Sequence, residues 1–256
     1  ERQEFTVTGG LPSLVVSALA LGALAALPLM LGAWLALRRR LPDRLVGLVA
    51  AFGAGALISA ITFELVLDAV ARGSPVALGF SLAAGAMAYF VASEFLDPRS
   101  QSAAAASRGL AILVGAMLDG IPESLILGLS IATGTGLSLP FLLAVLISNF
   151  PEGMASAAEL RGQPGFSDRR ILGMWGIVIA VSALAAAVGA TVSASGNAGS
   201  VAAAEAFAAG ALLTMLTDDL VPEARERGGL GAGLASVMGF AVAFALSKAT
   251  QEPPQE

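Results

Sequence analysis

Two short stretches carry the chemistry of this chain: DGIPES at 119–124 and SNFPEG at 148–153, each inside a long apolar run. Both place a proline directly before a glutamate, Pro122–Glu123 and Pro151–Glu152. In the first, Asp119 and Glu123 stand at i and i+4, so on a helix both side chains leave the same face. In the second, Ser148 lies one turn before Glu152 and Asn149 three residues before it. Each proline removes the hydrogen bond to the carbonyl four residues earlier, that of Leu118 or Ile147, and is expected to kink its helix. In lipid a freed carbonyl is tolerated only where protein, water or an ion satisfies it. A packing kink would account for the prolines but not for the acids beside them. Asp119, Glu123, Ser148, Asn149 and Glu152 are therefore the candidate ligands of an oxygen-lined cation site.

The residue inventory narrows the chemistry. The chain has no cysteine and no histidine, which excludes disulfides, thiolate or imidazole metal ligation and catalysis that needs either side chain. Carboxylate, hydroxyl, amide and backbone oxygen remain. No prosthetic group is expected. With 56% hydrophobic and 13% charged residues over 256 positions, against about 25% charged in soluble domains, the chain cannot cover a water-facing surface. Its net charge of −5 and lack of a basic stripe argue against a nucleic-acid partner; membrane lipid and a metal ion are the expected partners.

The elements that must position the acids are membrane spans. A bilayer core takes about 20 apolar residues per helix, and runs near 11–37, 45–70, 75–97, 108–132, 137–160, 171–195, 200–223 and 229–248 meet that length. This predicts an all-α, eight-helix integral membrane domain over residues 1–256, with Gly-, Pro-, Ser- or Arg-marked turns between the spans. The first run is too long for a signal segment and is read as a true span; the chain begins at Glu1 and not at Met, so a trimmed start is expected. Arg38, Arg39, Arg40, Arg44, Arg99, Arg108, Arg161, Arg169, Arg170, Arg225 and Arg227 fall in the odd-numbered loops, whereas only Arg2, Arg72 and Lys248 fall elsewhere. The asymmetry predicts cytoplasmic odd loops and both termini outside. Trp34 and Trp175 lie near the same predicted interface, as aromatic belts do.

Every basic residue thus sits in a loop or at a terminus. Glu64, Asp68, Glu94, Asp119, Glu123, Glu152, Glu205, Asp218, Asp219 and Glu223 lie within spans or at their ends. Acids at depth are costly and mark ion or proton pathways; protonated carboxyls held by hydroxyls are the alternative for any one of them. Glu205 is expected to be solvated. Met117, beside Asp119, is expected to be apolar filler.

The segment AFGAGALISAITFELVLDA (51–69) matches AFAAGALLTMLTDDLVPEA (206–224) at an offset of 155. Phe52, Gly55, Thr62, Glu64 and Asp68 correspond to Phe207, Gly210, Thr217, Asp219 and Glu223. The loop charges run the two segments in opposite directions, the mark of an inverted-repeat transporter. The repeat places Glu64 and Asp68 near the outer face and Asp219 and Glu223 near the inner one, with the proline motifs between them. Asp218, about 100° from Asp219 around the helix, is not expected to share its path.

Eight spans, outside termini and Pro-Glu motifs on spans four and five resemble the ZIP (Zrt-, Irt-like protein) metal transporters, and AAGALLTMLTDDLVPEA on span seven is similar to its counterpart there. The resemblance covers nearly the whole chain. It implies a 3+2+3 bundle, spans one to three and six to eight flanking four and five, that moves divalent metal such as zinc, iron or manganese into the cytoplasm. A homodimer in a bacterial inner membrane is the implied setting. The family pattern His-Asn-x-Pro-Glu-Gly is altered: Asp119 and Ser148 replace the histidines, Gly120 replaces one asparagine and Ser124 one glycine, while Asn149, both prolines, both glutamates and Gly153 match. The loop before span four, histidine-rich in the family, is DPRSQSAAAASR. Oxygen ligands suit hard ions such as Mn²⁺, Mg²⁺ and Ca²⁺, whereas imidazole suits Zn²⁺, so weaker zinc preference and a single-ion centre are expected. Metal binding to carboxylates releases protons, which makes pH-dependent transport an expected consequence.

Other functions keep part of this picture. The same fold could carry protons, sodium or another cation, or be a non-transporting relative. An intramembrane aspartyl protease could pair Asp119 with Asp218 or Asp219, but the Gly-x-Gly-Asp signature is missing. Zinc and serine intramembrane proteases need histidine and are excluded.

Overall fold

The computed structural model describes residues 10–96, 105–132, 138–161 and 163–251. Arg2, Arg99 and the stretch 97–104, on which part of the loop-charge argument rests, lie outside the described residues.

Apolar runs that must satisfy every backbone group without water become helices, and the described residues contain helices and no strand. Eight are long and apolar enough to cross a membrane: α1 (Leu11–Arg38), α2 (Asp43–Arg72), α3 (Pro75–Leu96), α4 (Ala105–Ala132), α5 (Leu139–Leu160), α6 (Asp168–Ser195), α7 (Ala198–Gly228) and α8 (Gly231–Gln251). The chain is an integral membrane protein by this measure. Span boundaries agree with the sequence expectation to within a few residues, except that α7 runs on to Gly228. Local signals set the starts. Ser138, Ser167 and Asn197 accept from the backbone N–H groups of Phe141, Arg170 and Ser200, opening α5, α6 and α7, as short oxygen-bearing side chains do at helix N-termini.

Packing divides the helices by burial. α2, α5 and α7 are the most enclosed, whereas α3 and α8 turn much of their surface outward. The outward side chains are apolar: Phe80, Phe95, Leu234 and Val237 are all exposed, a surface that lipid covers without cost. α1 packs on α5 and α6, α4 on α6, α2 on α8 and α5, and α3 on α7. Small residues permit these approaches. At the α1/α5 crossing Gly32 faces the Phe150 carbonyl and Gly153 the Leu29 carbonyl; at α4/α6 Gly128 faces Ala186 and Gly189 faces Leu125. At α2/α8 Gly55 meets the Ser236 carbonyl and Gly239 that of Phe52; at α3/α7 Gly210 meets Leu82 and Gly85 meets Phe207. At each of these glycines a Cβ would overlap the facing carbonyl oxygen.

α4 continues through Pro122 and α5 through Pro151. No sequence expectation covers a further change in the hydrogen-bond pattern, in short π-helical segments at Ile61–Val66 of α2 and Leu216–Leu220 of α7. There Leu67 N–H reaches the Thr62 carbonyl and Val221 N–H the Leu216 carbonyl, five residues back. Thr62 and Thr217 donate to the carbonyls of Ile58 at 2.7 Å and Leu213 at 3.0 Å, so side chains supply part of what the altered ladder leaves. Both segments lie inside the repeated sequence, at matching positions, and each contains the acid at Glu64 or Asp219. Such bulges recur at functional sites.

Candidate functional site

Three helices bring acids to one cavity. Asp119 and Glu123 from α4, Ser148 and Glu152 from α5, and Asp219 and Glu223 from α7, with Met215 and Leu220, line a cleft with about 300 Å³ of atom-free space, part of it open. The i, i+4 spacing does what it implied, delivering Asp119 and Glu123 to the same wall. Asp219 reaches the cleft from the π segment of α7, while Asp218 is exposed. The sequence assigned Asp119, Glu123 and Glu152 to the centre and Asp219 and Glu223 to a separate tier; here all five acids share one cavity.

Hydrogen bonds fix the walls. Glu123 is buried, at 2% exposure. The Asn149 amide donates to the Ala25 carbonyl of α1 at 2.9 Å. It therefore ties α5 to α1, and Asn149 is not among the residues that line the cavity. Ser148 lines the cavity, but its hydroxyl donates to the Val145 carbonyl at 3.0 Å.

The residue that sequence reasoning missed is Tyr89 of α3. Its hydroxyl lies 2.5 Å from Asp119 Oδ1 and 2.9 Å from Asp219 Oδ2, and the side chain is 5% exposed. The available signal was that it is the one tyrosine in the chain, and a buried tyrosine hydroxyl usually has a partner.

Glu64 and Asp68 do not line this cavity. Glu64, in the π segment of α2, accepts from Ser138 at 2.9 Å and from Ser247 of α8 at 2.5 Å. Asp68 and Glu223 each meet an arginine four residues on: Arg72 lies 3.8 Å from Asp68, and Arg227 lies 2.9 Å from Glu223. Both arginines also cross between helices. Arg72 pairs with Glu205 of α7 at 2.6 Å, and Arg227 lies 3.9 Å from Asp43 of α2. Two expectations are corrected here. Glu205 is not solvated but buried and ion-paired, and acids at the span ends do have basic partners. Trp175 is likewise not an interfacial residue; it is 1% exposed, packed among α1, α4, α5 and α6. Trp34 is half-exposed with Arg38 over its ring at 5.7 Å, as an interfacial residue should be.

The donor set is all oxygen, which suits a hard cation. Among the described residues, however, no three carboxylates are arranged to hold a metal ion. The arrangement is an acid-lined cavity in which Asp119 and Asp219 meet the Tyr89 hydroxyl and Glu223 meets Arg227. Fold and site together define an eight-helix membrane protein with an acidic cavity between α4, α5 and α7. No protein-family model matches the chain, and no curated protein matches it.

Proposed function

We propose that the chain carries a divalent cation across the membrane through the cavity between α4, α5 and α7, as an atypical relative of the ZIP transporters with oxygen in place of imidazole. One observation carries this: six oxygen-bearing side chains from three helices, five of them acids, converge on a single cavity inside a protein whose exterior is apolar. Acids at membrane depth are expensive unless a cation or proton pathway uses them.

The paired crossings support the inverted repeat. α2 meets α8 through Gly55 and Gly239, as α7 meets α3 through Gly210 and Gly85, and Gly55 and Gly210 are equivalent in the repeat. Arg72 and Arg227 also differ by the repeat offset, and each pairs with the acid one turn before it. On this reading α1–α3 and α6–α8 flank α4 and α5 in a 3+2+3 bundle, the loop arginines set both termini outside, and the family resemblance implies transport toward the cytoplasm. A homodimer in a bacterial inner membrane remains the setting that the family resemblance implies.

A second reading, that the same cavity carries protons, sodium or another monovalent cation, is favoured by one observation: no three carboxylates are assembled as a metal-holding group among the described residues. The aspartyl-protease reading loses ground, because the Tyr89 hydroxyl occupies the place between Asp119 and Asp219 that an attacking water would need.

Thermal unfolding of the purified full chain with and without Mn²⁺, Zn²⁺, Ca²⁺ and Na⁺ separates these readings, because an ion that binds only the folded form stabilises it by RT ln(1 + [ion]/Kd). Mn²⁺ is expected to raise Tm in the wild type, and Glu123→Gln and Glu152→Gln are expected to abolish the shift. Stabilisation by Na⁺ alone would transfer the proposal to the monovalent reading.

A further inference from the structure

The phenol of Tyr89 stands between carboxylates of two other helices. We propose that Tyr89 is a positioning residue for cation binding, a latch whose hydroxyl ties Asp119 of α4 to Asp219 of α7 and must release Asp119 before a divalent ion can take up that carboxylate. The inference rests on the divalent reading given above and adds to it the group that opposes binding.

The geometry makes the case. Tyr89 comes from α3, a helix otherwise turned largely outward, yet its side chain is buried and its hydroxyl stands between two carboxylates of two other helices, 2.5 Å from one and 2.9 Å from the other. A divalent ion takes carboxylate oxygens at about 2.0–2.6 Å, so it competes with the phenol for the same oxygens of Asp119. A carboxylate drawn to the phenol is not delivered to Glu123 and Glu152. That accounts for a cavity lined by five acids in which no three of the described carboxylates are assembled around one point. The latch also couples binding to movement. α3 and α7 are fitted together by Gly85 and Gly210, so releasing Asp119 from Tyr89 removes one of the ties between α4 and that pair.

The test compares wild type with Tyr89→Phe, which keeps the ring and removes only the hydroxyl. A hydrogen bond to a charged group is worth enough that its removal from the ion-free state is expected to tighten Mn²⁺ binding about tenfold, with the Tm of the ion-free protein lowered and that of the Mn²⁺-saturated protein nearly unchanged. Calorimetric titration of the full chain with Mn²⁺ reads the first, and backbone hydrogen exchange over 215–221 without metal, expected to speed up, reads the release of α7. A purely structural phenol would lower Tm without tightening binding. Unchanged or weaker Mn²⁺ binding in a variant whose wild type binds Mn²⁺ overturns the latch. If neither protein binds a divalent ion, the divalent reading fails by itself, and the exchange measurement then decides the latch: unchanged exchange at 215–221 overturns it. Tyr89→Leu takes the place of Tyr89→Phe if the latter does not fold.

Discussion

At the scale of single residues, the proposed function makes Asp119 the position expected to set ion preference. A carboxylate there, held by Tyr89 at 2.5 Å, gives an all-oxygen wall. Putting an imidazole back with Asp119→His adds a ligand that favours Zn²⁺ over harder ions. The expected outcome is a rise in the ratio of Zn²⁺ to Mn²⁺ affinity of at least about tenfold, read by competition binding; an unchanged ratio would mean that Asp119 does not touch the ion. Arg72 and Arg227 give a second comparison. The Arg72–Glu205 pair is largely buried on the acid side, whereas the Arg227–Glu223 pair is substantially exposed. Breaking a buried pair leaves an uncompensated charge at about 3–5 kcal/mol, whereas exposed pairs contribute about 0–1 kcal/mol. Arg72→Gln is therefore expected to lower Tm clearly and Arg227→Gln hardly at all. Much of the site was legible in the sequence because it is local: Asp119 with Glu123, and Ser148 with Glu152, are set by helical spacing alone. Tyr89 and the Arg72–Glu205 pair were not, because their partners lie far away in sequence and meet only when α3, α4 and α7, or α2 and α7, pack.

At the scale of elements, hydropathy and length placed all eight helices, and the repeat pointed to α2 and α7 as related. Pro122 and Pro151 sit inside continuous helix, while the altered ladder lies at Ile61–Val66 and Leu216–Leu220, where ordinary apolar residues, threonine and acid give no breaker signal. The signal in hindsight was the shared Thr-x-Glu and Thr-x-Asp at the repeat offset. Glycine is the other element-scale determinant. Gly210 faces the Leu82 carbonyl without room for a methyl group, whereas a Cβ at Gly79 meets nothing within 4 Å. Overpacking typically costs about 1–3 kcal/mol, while alanine for glycine in an open helix gains up to about 1 kcal/mol. Gly210→Ala should therefore lower Tm by several degrees and Gly79→Ala should leave it equal or higher, in matched unfolding scans.

At the scale of the whole molecule, composition alone fixed lipid as the solvent, and the exposed apolar faces of α3 and α8 agree. What composition could not give is how the acids divide. The sequence put them in three tiers along the membrane normal; in the fold, the α7 acids join the central ones in a single cavity, and Glu64 with Asp68 stays apart, held by Ser138, Ser247 and Arg72. The division depends on helix rotation and packing, which a pattern of hydropathy does not specify. Whether this cavity carries a hard divalent cation is read by ion flux. Full-length protein in proteoliposomes, loaded with a divalent-sensitive dye and offered Mn²⁺ and Zn²⁺ at equal concentration, should take up Mn²⁺ at least as well as Zn²⁺, and Glu123→Gln should reduce both to the level of empty vesicles. Zinc uptake that far outruns manganese, or flux unaffected by Glu123→Gln, would contradict that role.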